Sequence, residues 1–278
     1  MLDTKKAATF LRRAILLLAA AAAILQTLAV ILEYDVASGA NYFRVGAILP
    51  HAATACAILG AILSILWAVT LKGTPTNPDL YGQRVAPVPA ALGYLLAAPA
   101  LLLSQPSLAL ELRGATVLLL VAAAACTLLL CTSLPQRNPA LAALLGMVPT
   151  PACIALNAYY YFDVSVEMNA PLKVAVQLGL LAVMLVGTAE VRYLLARPLP
   201  RLYLMLCGWL CSLGALSALA LPVAYLLGRF DRVDYAAGAV LTLCTCMGAA
   251  LRMRHLLQAP DAPADADAPL SQDTPDEL

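Results

Sequence analysis

Charge is scarce in this sequence, and scarcest where a proton or metal path through a membrane would need it. Charged residues make up 12 % of the chain's 278 residues; an ordinary soluble domain has about 25 %. No Asp or Glu stands in the middle of any long apolar run, although Glu190 lies at the end of one. Proton pumps and intramembrane aspartyl proteases work through buried ionisable groups, so the composition argues against both. Neither a phosphate-cradling glycine loop nor H-E-x-x-H nor G-x-S-x-G is present, and these are the arrangements that would mark common catalytic sites. No polar stretch is long enough for a soluble catalytic domain. The balance is against an enzyme, and nothing calls for a cofactor, a metal or a nucleic-acid partner.

What is abundant is apolar. Hydrophobic residues are 62 % of the chain and mean hydropathy is +0.84. A helix that is apolar all round needs lipid or other helices about it, and a bilayer-spanning helix needs about 20 such residues. Eight runs qualify, near 14–32, 46–70, 86–104, 114–133, 139–161, 171–189, 202–227 and 235–257. Irregular backbone facing lipid leaves peptide groups unsatisfied, so these runs are predicted to be helices. Stretches such as "AILLLAAAAAILQTLAVIL" do not alternate as barrel strands would. The predicted fold class is an all-α polytopic bundle of eight transmembrane helices in the cell membrane.

Charge placement orients the thread. With eight crossings both termini share one side, and 12 of the 17 basic residues fall there, which puts the termini in the cytoplasm. Aromatics mark the interfaces: Tyr34, Tyr42, Phe43 and Tyr159 to Phe162 outside, Trp67, Tyr81 and Tyr203 inside. His51 then lies near the outer end of span two and His255 at the inner end of span eight, too far apart to share a metal or haem. The basic start and apolar middle of "KKAATFLRRAILLLAAAAAIL" imitate a signal peptide, but the apolar stretch runs on to Leu32, so it reads as an uncleaved first helix. The final "PDEL" lacks the basic residue of a retention signal. Residues 259–278 carry acids and prolines but no bases, and are predicted to be a disordered acidic cytoplasmic tail. All eight cysteines lie inside predicted spans, where the expected role is packing.

Compared with itself, the chain suggests duplication. "YDVASGAN" (34–41) and "FDVSVEMN" (162–169) share Asp, Val and Asn at a shift that also lays span one on five and span two on six. The expectation is a 4+4 parallel repeat, with halves 1–135 and 136–258. Both octets end on an Asn before an apolar run, Asn41 and Asn169, which suggests helix caps, and Pro171 suits a first turn. The same octets hold Asp35, Asp163 and Glu167, which would form an acidic mouth that attracts cations or amines.

The segment from Phe162 to Leu204, "FDVSVEMNAPLKVAVQLGLLAVMLVGTAEVRYLLARPLPRLYL", resembles bacterial multi-pass membrane proteins with no assigned activity. The resemblance implies membrane residence for that segment and carries no catalytic or binding residue with it.

Span five holds the sharpest signal. Pro149 and Pro151 fall near its middle, and neither can donate to the carbonyl four residues back, so those of Leu145 and Met147 should be freed. Transporters bind solutes at such broken helices. Thr150 and Asn157 share a face with the break and Gln177 lies on span six, which predicts a polar cavity between spans five and six. Small-residue ridges, Cys56-x3-Gly60-x3-Ser64 on span two and Gly238-x3-Thr242-x3-Cys246 on span eight, predict close helix contact. Arg192, Arg197 and Arg201 flank a cytoplasmic loop and suit anionic lipid headgroups. Two functions follow: a permease-like protein binding a small solute or ion at span five, or a non-transporting sensor or assembly subunit that meets a protein partner through its cytoplasmic loop and tail.

Overall fold

Prolines start most of the helices. Pro50, Pro89, Pro135, Pro139, Pro149, Pro171 and Pro200 each stand in a first turn, where the missing N–H has no partner to lose. The computed structural model describes residues 2–35, 42–71, 80, 84–104, 110–195 and 197–257. Asn41, Lys72, Tyr81 and the acidic tail lie outside them. The helices are α1 (Leu2–Leu32), α2 (Leu49–Thr70), α3 (Val88–Leu103), α4 (Leu110–Leu129), α5 (Leu134–Arg137), α6 (Pro139–Met147), α7 (Pro149–Phe162), α8 (Pro171–Leu194), α9 (Pro200–Ala218), α10 (Ala220–Leu226) and α11 (Val233–Leu256). Among the described residues the only extended pairing is an isolated bridge between Tyr34 and Phe43.

Seven segments are long and apolar enough to cross a membrane: α1, α2, α4, α6–α7, α8, α9–α10 and α11. α3 is apolar but has 16 residues, about 24 Å at 1.5 Å per residue, less than the roughly 30 Å of a hydrocarbon core.

Glycines set which helices touch. A Cβ on Gly60 of α2 would meet the Ser212 hydroxyl of α9, and one on Gly208 of α9 would meet that of Ser64. Rising numbers on one helix match falling numbers on the other, so α2 and α9 run antiparallel. Likewise Gly93 faces Leu241 and Gly248 faces Ala86, which makes α3 and α11 antiparallel. By contrast Tyr94 reaches Cys153 at 3.4 Å and Ser104 reaches Tyr159 at 3.3 Å, so α3 and α7 run parallel. α9–α10 is the most enclosed segment and α2 the least. Arg12 near the start of α1 is close enough to Arg254 near the end of α11 for their charges to repel. We call that face proximal and the opposite one distal.

Packing does not mirror itself between the two halves. α8 packs along α9, whereas its expected counterpart α2 packs on α1 and α9 and has no extensive contact with α3.

Span five breaks where its prolines demand. α6 ends at Met147, Val148 is a turn and α7 begins at Pro149. The Leu145 carbonyl is not freed as expected: Val148 N–H donates to it at 3.2 Å in a tightened turn. Span seven is also interrupted, at Leu219 between α9 and α10, with Pro222 just beyond. Trp67 is fully buried rather than interfacial. Of the YYYF run, Tyr159 and Tyr160 point inward while Tyr161 and Phe162 are exposed.

Candidate functional site

The acidic mouth is largely a closed clasp. Asp163 is 1 % exposed and sits in the turn after α7. Its Oδ1 accepts from the Ser165 N–H at 3.0 Å and hydroxyl at 2.7 Å; its Oδ2 accepts from Tyr235 Oη at 3.1 Å and pairs with Arg232 at 2.7 Å. Arg232 also pairs with Asp234 at 2.7 Å and lies over the Tyr235 ring. Lys173, 1 % exposed, donates to the carbonyls of Asp163 at 2.7 Å and Val166 at 2.9 Å. Tyr160 stacks on Tyr235 and donates to the Asp234 carbonyl at 2.7 Å. Two carboxylates face two cations, so this group has no net charge with which to collect ions. Burial alone would lower the Arg232 pKa, but the bonds and charges of Asp234 and Asp163 outweigh it and hold the guanidinium above its ordinary value.

The other members of the mouth lie apart from this group. Glu167 is exposed beside Tyr42, whose phenol is pushed upward first by desolvation and then by the Glu167 carboxylate. Asp35 is half-buried, and its N–H donates to the Tyr42 carbonyl. Asn169 does not cap α8. Ala170 occupies the cap position without a side-chain bond, and Asn169 Oδ1 instead accepts from Tyr42 Oη at 2.6 Å. That bond ties the α1–α2 loop to the α7–α8 loop. α2 is served by Glu33, whose carboxylate accepts the Ile48 and Leu49 N–H groups at 3.3 and 3.0 Å, a favourable place for negative charge.

Thr150, Asn157 and Gln177 do not share one cavity. Asn157 and Gln177 line an open groove of ≈ 520 Å³ between α7 and α8, with Ile154, Leu178 and Leu181. The Asn157 Oδ1 is buried without a partner. Thr150 lies closer to the proximal end, with its Oγ1 against Gly187 of α8.

A second space lies where the helix breaks. A more enclosed cavity of ≈ 60 Å³ is bounded by Pro149, Tyr94, Thr127, Thr245, Glu190 and Arg252. By that measure a water needs about 10–15 Å³, so it holds a few waters or one small ion. Glu190 of α8 and Arg252 of α11 form an ion pair, and Tyr203 of α9 joins them, donating to Glu190 Oε1 at 3.1 Å and accepting from Arg252 Nη1 at 3.2 Å. This triad stands at the proximal edge of the space. The cavity adjoins the proline break, and the polar groups beside it come from α8, α9 and α11.

Arg192 at the end of α8, Arg197 in the following loop and Arg201 at the start of α9 are all exposed at the proximal end. Sequence reasoning missed Arg232 and Asp234 as a pair. Their signal was a basic residue on the side where bases are few, two positions before an acid at a helix start. No group of three or more potential metal ligands occurs among the described residues. No protein-family model matches the chain, and neither a curated protein nor a solved structure matches it.

Proposed function

We propose that this multi-pass membrane protein is permease-like and binds a small polar solute or ion at the break in span five. The observation that carries the reading is the enclosed cavity at Pro149, bounded by the Glu190–Arg252–Tyr203 triad. A second charged network, Asp163–Arg232–Asp234, closes the distal end of the same helices. Two ion-pair closures on either side of a largely apolar cavity with a few polar groups suit alternating access, in which one opens while the other holds. Thr150 belongs beside this cavity, and Asn157 and Gln177 form a lateral subsite in the neighbouring groove.

The thread has eight crossings, with α3 as the third. This is supported by the antiparallel contact of α2 with α9, an orientation that five reversals give when α3 is counted among the crossings. Basic residues concentrated on the proximal face support a cytoplasmic location for it, in the cell membrane. The 4+4 duplication, with halves 1–135 and 136–258, rests on the matching octets; any ancestral symmetry has been repacked. The exposed Arg192, Arg197 and Arg201 favour a second reading, a sensor or assembly subunit that docks on anionic lipid or a protein partner at its cytoplasmic face.

Thermal unfolding of the detergent-purified protein against amines, amino acids, sugars, nucleosides and ions tests the first reading. A ligand at 100 times its Kd should stabilise the fold by about 2.7 kcal/mol. The stabilisation should vanish in Glu190→Gln. A hit lost only in Asn157→Ala or Gln177→Ala would move the site to the groove. A flat panel on folded protein, with partner capture lost on deleting residues 259–278, would establish the subunit reading instead.

A further inference from the structure

A third space lies at the distal end of α1, α2 and α8, away from both charged networks. It measures ≈ 530 Å³, and its wall changes character with depth. Tyr42, Arg44, His51 and Asn169 stand at the rim. The rest of the wall is largely apolar, Phe43, Val45 and Pro50 beside Arg44 and then Val174, Ala175, Leu178 and Leu216 along a channel open on one side. Among the described residues no carboxylate lines it, although the exposed Glu167 stands beside Tyr42 at the rim. Of the two acids nearest Arg44 in sequence, Asp35 is tied through its N–H to the Tyr42 carbonyl and Glu33 is committed to the start of α2. The Arg44 guanidinium is exposed and forms no ion pair among the described residues.

Gln26 of α1 also lines this space. It is 4 % exposed, and its Oε1 is buried with no hydrogen-bond partner. A buried amide with an unmet valence costs free energy unless something at the site completes it. Gln26 is six residues before the end of α1, about 9 Å down the helix, below the rim and within the apolar zone. A half-turn of the amide exchanges its oxygen and NH2, so the same position can accept or donate.

We propose that this groove holds one anionic phospholipid of the distal leaflet. The phosphate sits at Arg44 and the His51 edge, an ester carbonyl takes the Gln26 amide, and an acyl chain fills the channel along Leu178 and Leu216. A soluble anion would satisfy Arg44 but would leave the apolar channel and the Gln26 amide unmatched. A protein loop would have to carry its own peptide groups into hydrocarbon. Only a molecule with a negative head and a long apolar body matches both halves of the wall. The site is independent of the solute cavity, which lies at the Pro149 break.

Native mass spectrometry of the full chain, released from micelles doped with phosphatidylglycerol or phosphatidylcholine, provides the test. The parent should retain one phosphatidylglycerol in preference to phosphatidylcholine. Arg44→Gln should weaken retention about five-fold, the effect of one basic residue at an anionic surface, and Gln26→Leu should weaken it further in combination. Arg137→Gln, an exposed position on the opposite face, should leave this retained lipid in place. Arg44 is exposed, and its hydrogen bonds among the described residues are both through the backbone, its N–H donating to the Glu33 carbonyl and its C=O accepting from the Ala47 N–H, so its variant should unfold at the parent temperature. Equal retention of both lipids by the parent, unchanged retention in the Arg44→Gln/Gln26→Leu double variant, or displacement by millimolar inorganic phosphate would each overturn the proposal.

Discussion

Arg232 carries more of the distal architecture than any other single side chain, because two buried carboxylates depend on it. Breaking a buried ion pair from one side leaves uncompensated charge and costs about 3–5 kcal/mol. Arg232→Gln should therefore lower the unfolding temperature in detergent sharply. Adding Asp163→Asn and Asp234→Asn to that variant should recover much of the loss, since removing both partners is far milder than removing one. If Asp163 were instead a free vestibule charge, the same Asn substitutions would leave stability unmoved in either background. With the Arg232 pKa raised, its contribution is full below the ordinary arginine value and fades only above it, so the clasp should stay indifferent to pH from neutral upward through the range where the protein can be handled. Lys173 follows the same logic more locally. Lys173→Met would strand two carbonyls at about 1.5–3 kcal/mol for the charge-assisted bonds lost.

At the scale of helices, small residues decide distances. A Cβ on Gly93 would stand 2.9 Å from the Leu241 Cα, and one on Gly248 would stand 2.6 Å from the Ala86 carbonyl oxygen. Both obstacles are backbone and cannot swing away. At Gly60 the obstacle is a serine hydroxyl, which can rotate. Gly93→Ala and Gly248→Ala should thus each cost about 1–3 kcal/mol by overpacking, and Gly60→Ala clearly less, as read from thermal unfolding of the three variants side by side. Much at this scale was legible in advance. Apart from the start of α1, which lies twelve residues earlier than expected, helix limits came within about five residues, the ridge at Gly60 and Ser64 is a real contact surface, and Pro149 breaks its helix. Which helix meets which was not legible. Lipid and helix neighbours are equally apolar, so the pattern along α2 carries little record of whether α9 or α3 lies beside it. The polar groups at the break were missed for a related reason: Glu190 and Arg252 are 62 positions apart in the chain, and only folding brings them together. Asn169 misled because a cap and a tertiary acceptor look alike in one dimension.

For the whole molecule, the arrangement of proximal and distal faces makes a direct prediction about labelling. A cysteine introduced at Asp231, exposed on the distal side, should react with an impermeant maleimide applied to intact cells, and one at Arg197 should react only after the membrane is opened. The eight native cysteines are buried or half-buried, seven within helices and Cys131 in the turn after α4, and should contribute little background. The reverse labelling pattern would invert the thread. The loop from Asp163 to Lys173 has a further consequence, for the order in which the chain is made. Lys173 finds its two acceptors within ten residues of itself, so the hairpin of α7 and α8 can leave the translocon with its lysine already satisfied. Asp163 has the Lys173 charge nearby, but the guanidinium that pairs with its carboxylate emerges some 70 residues later. Until Arg232 is in place the nascent protein lacks that ion pair at the mouth of its own bundle, and synthesis that stops short of it would leave a product the cell can recognise as unfinished.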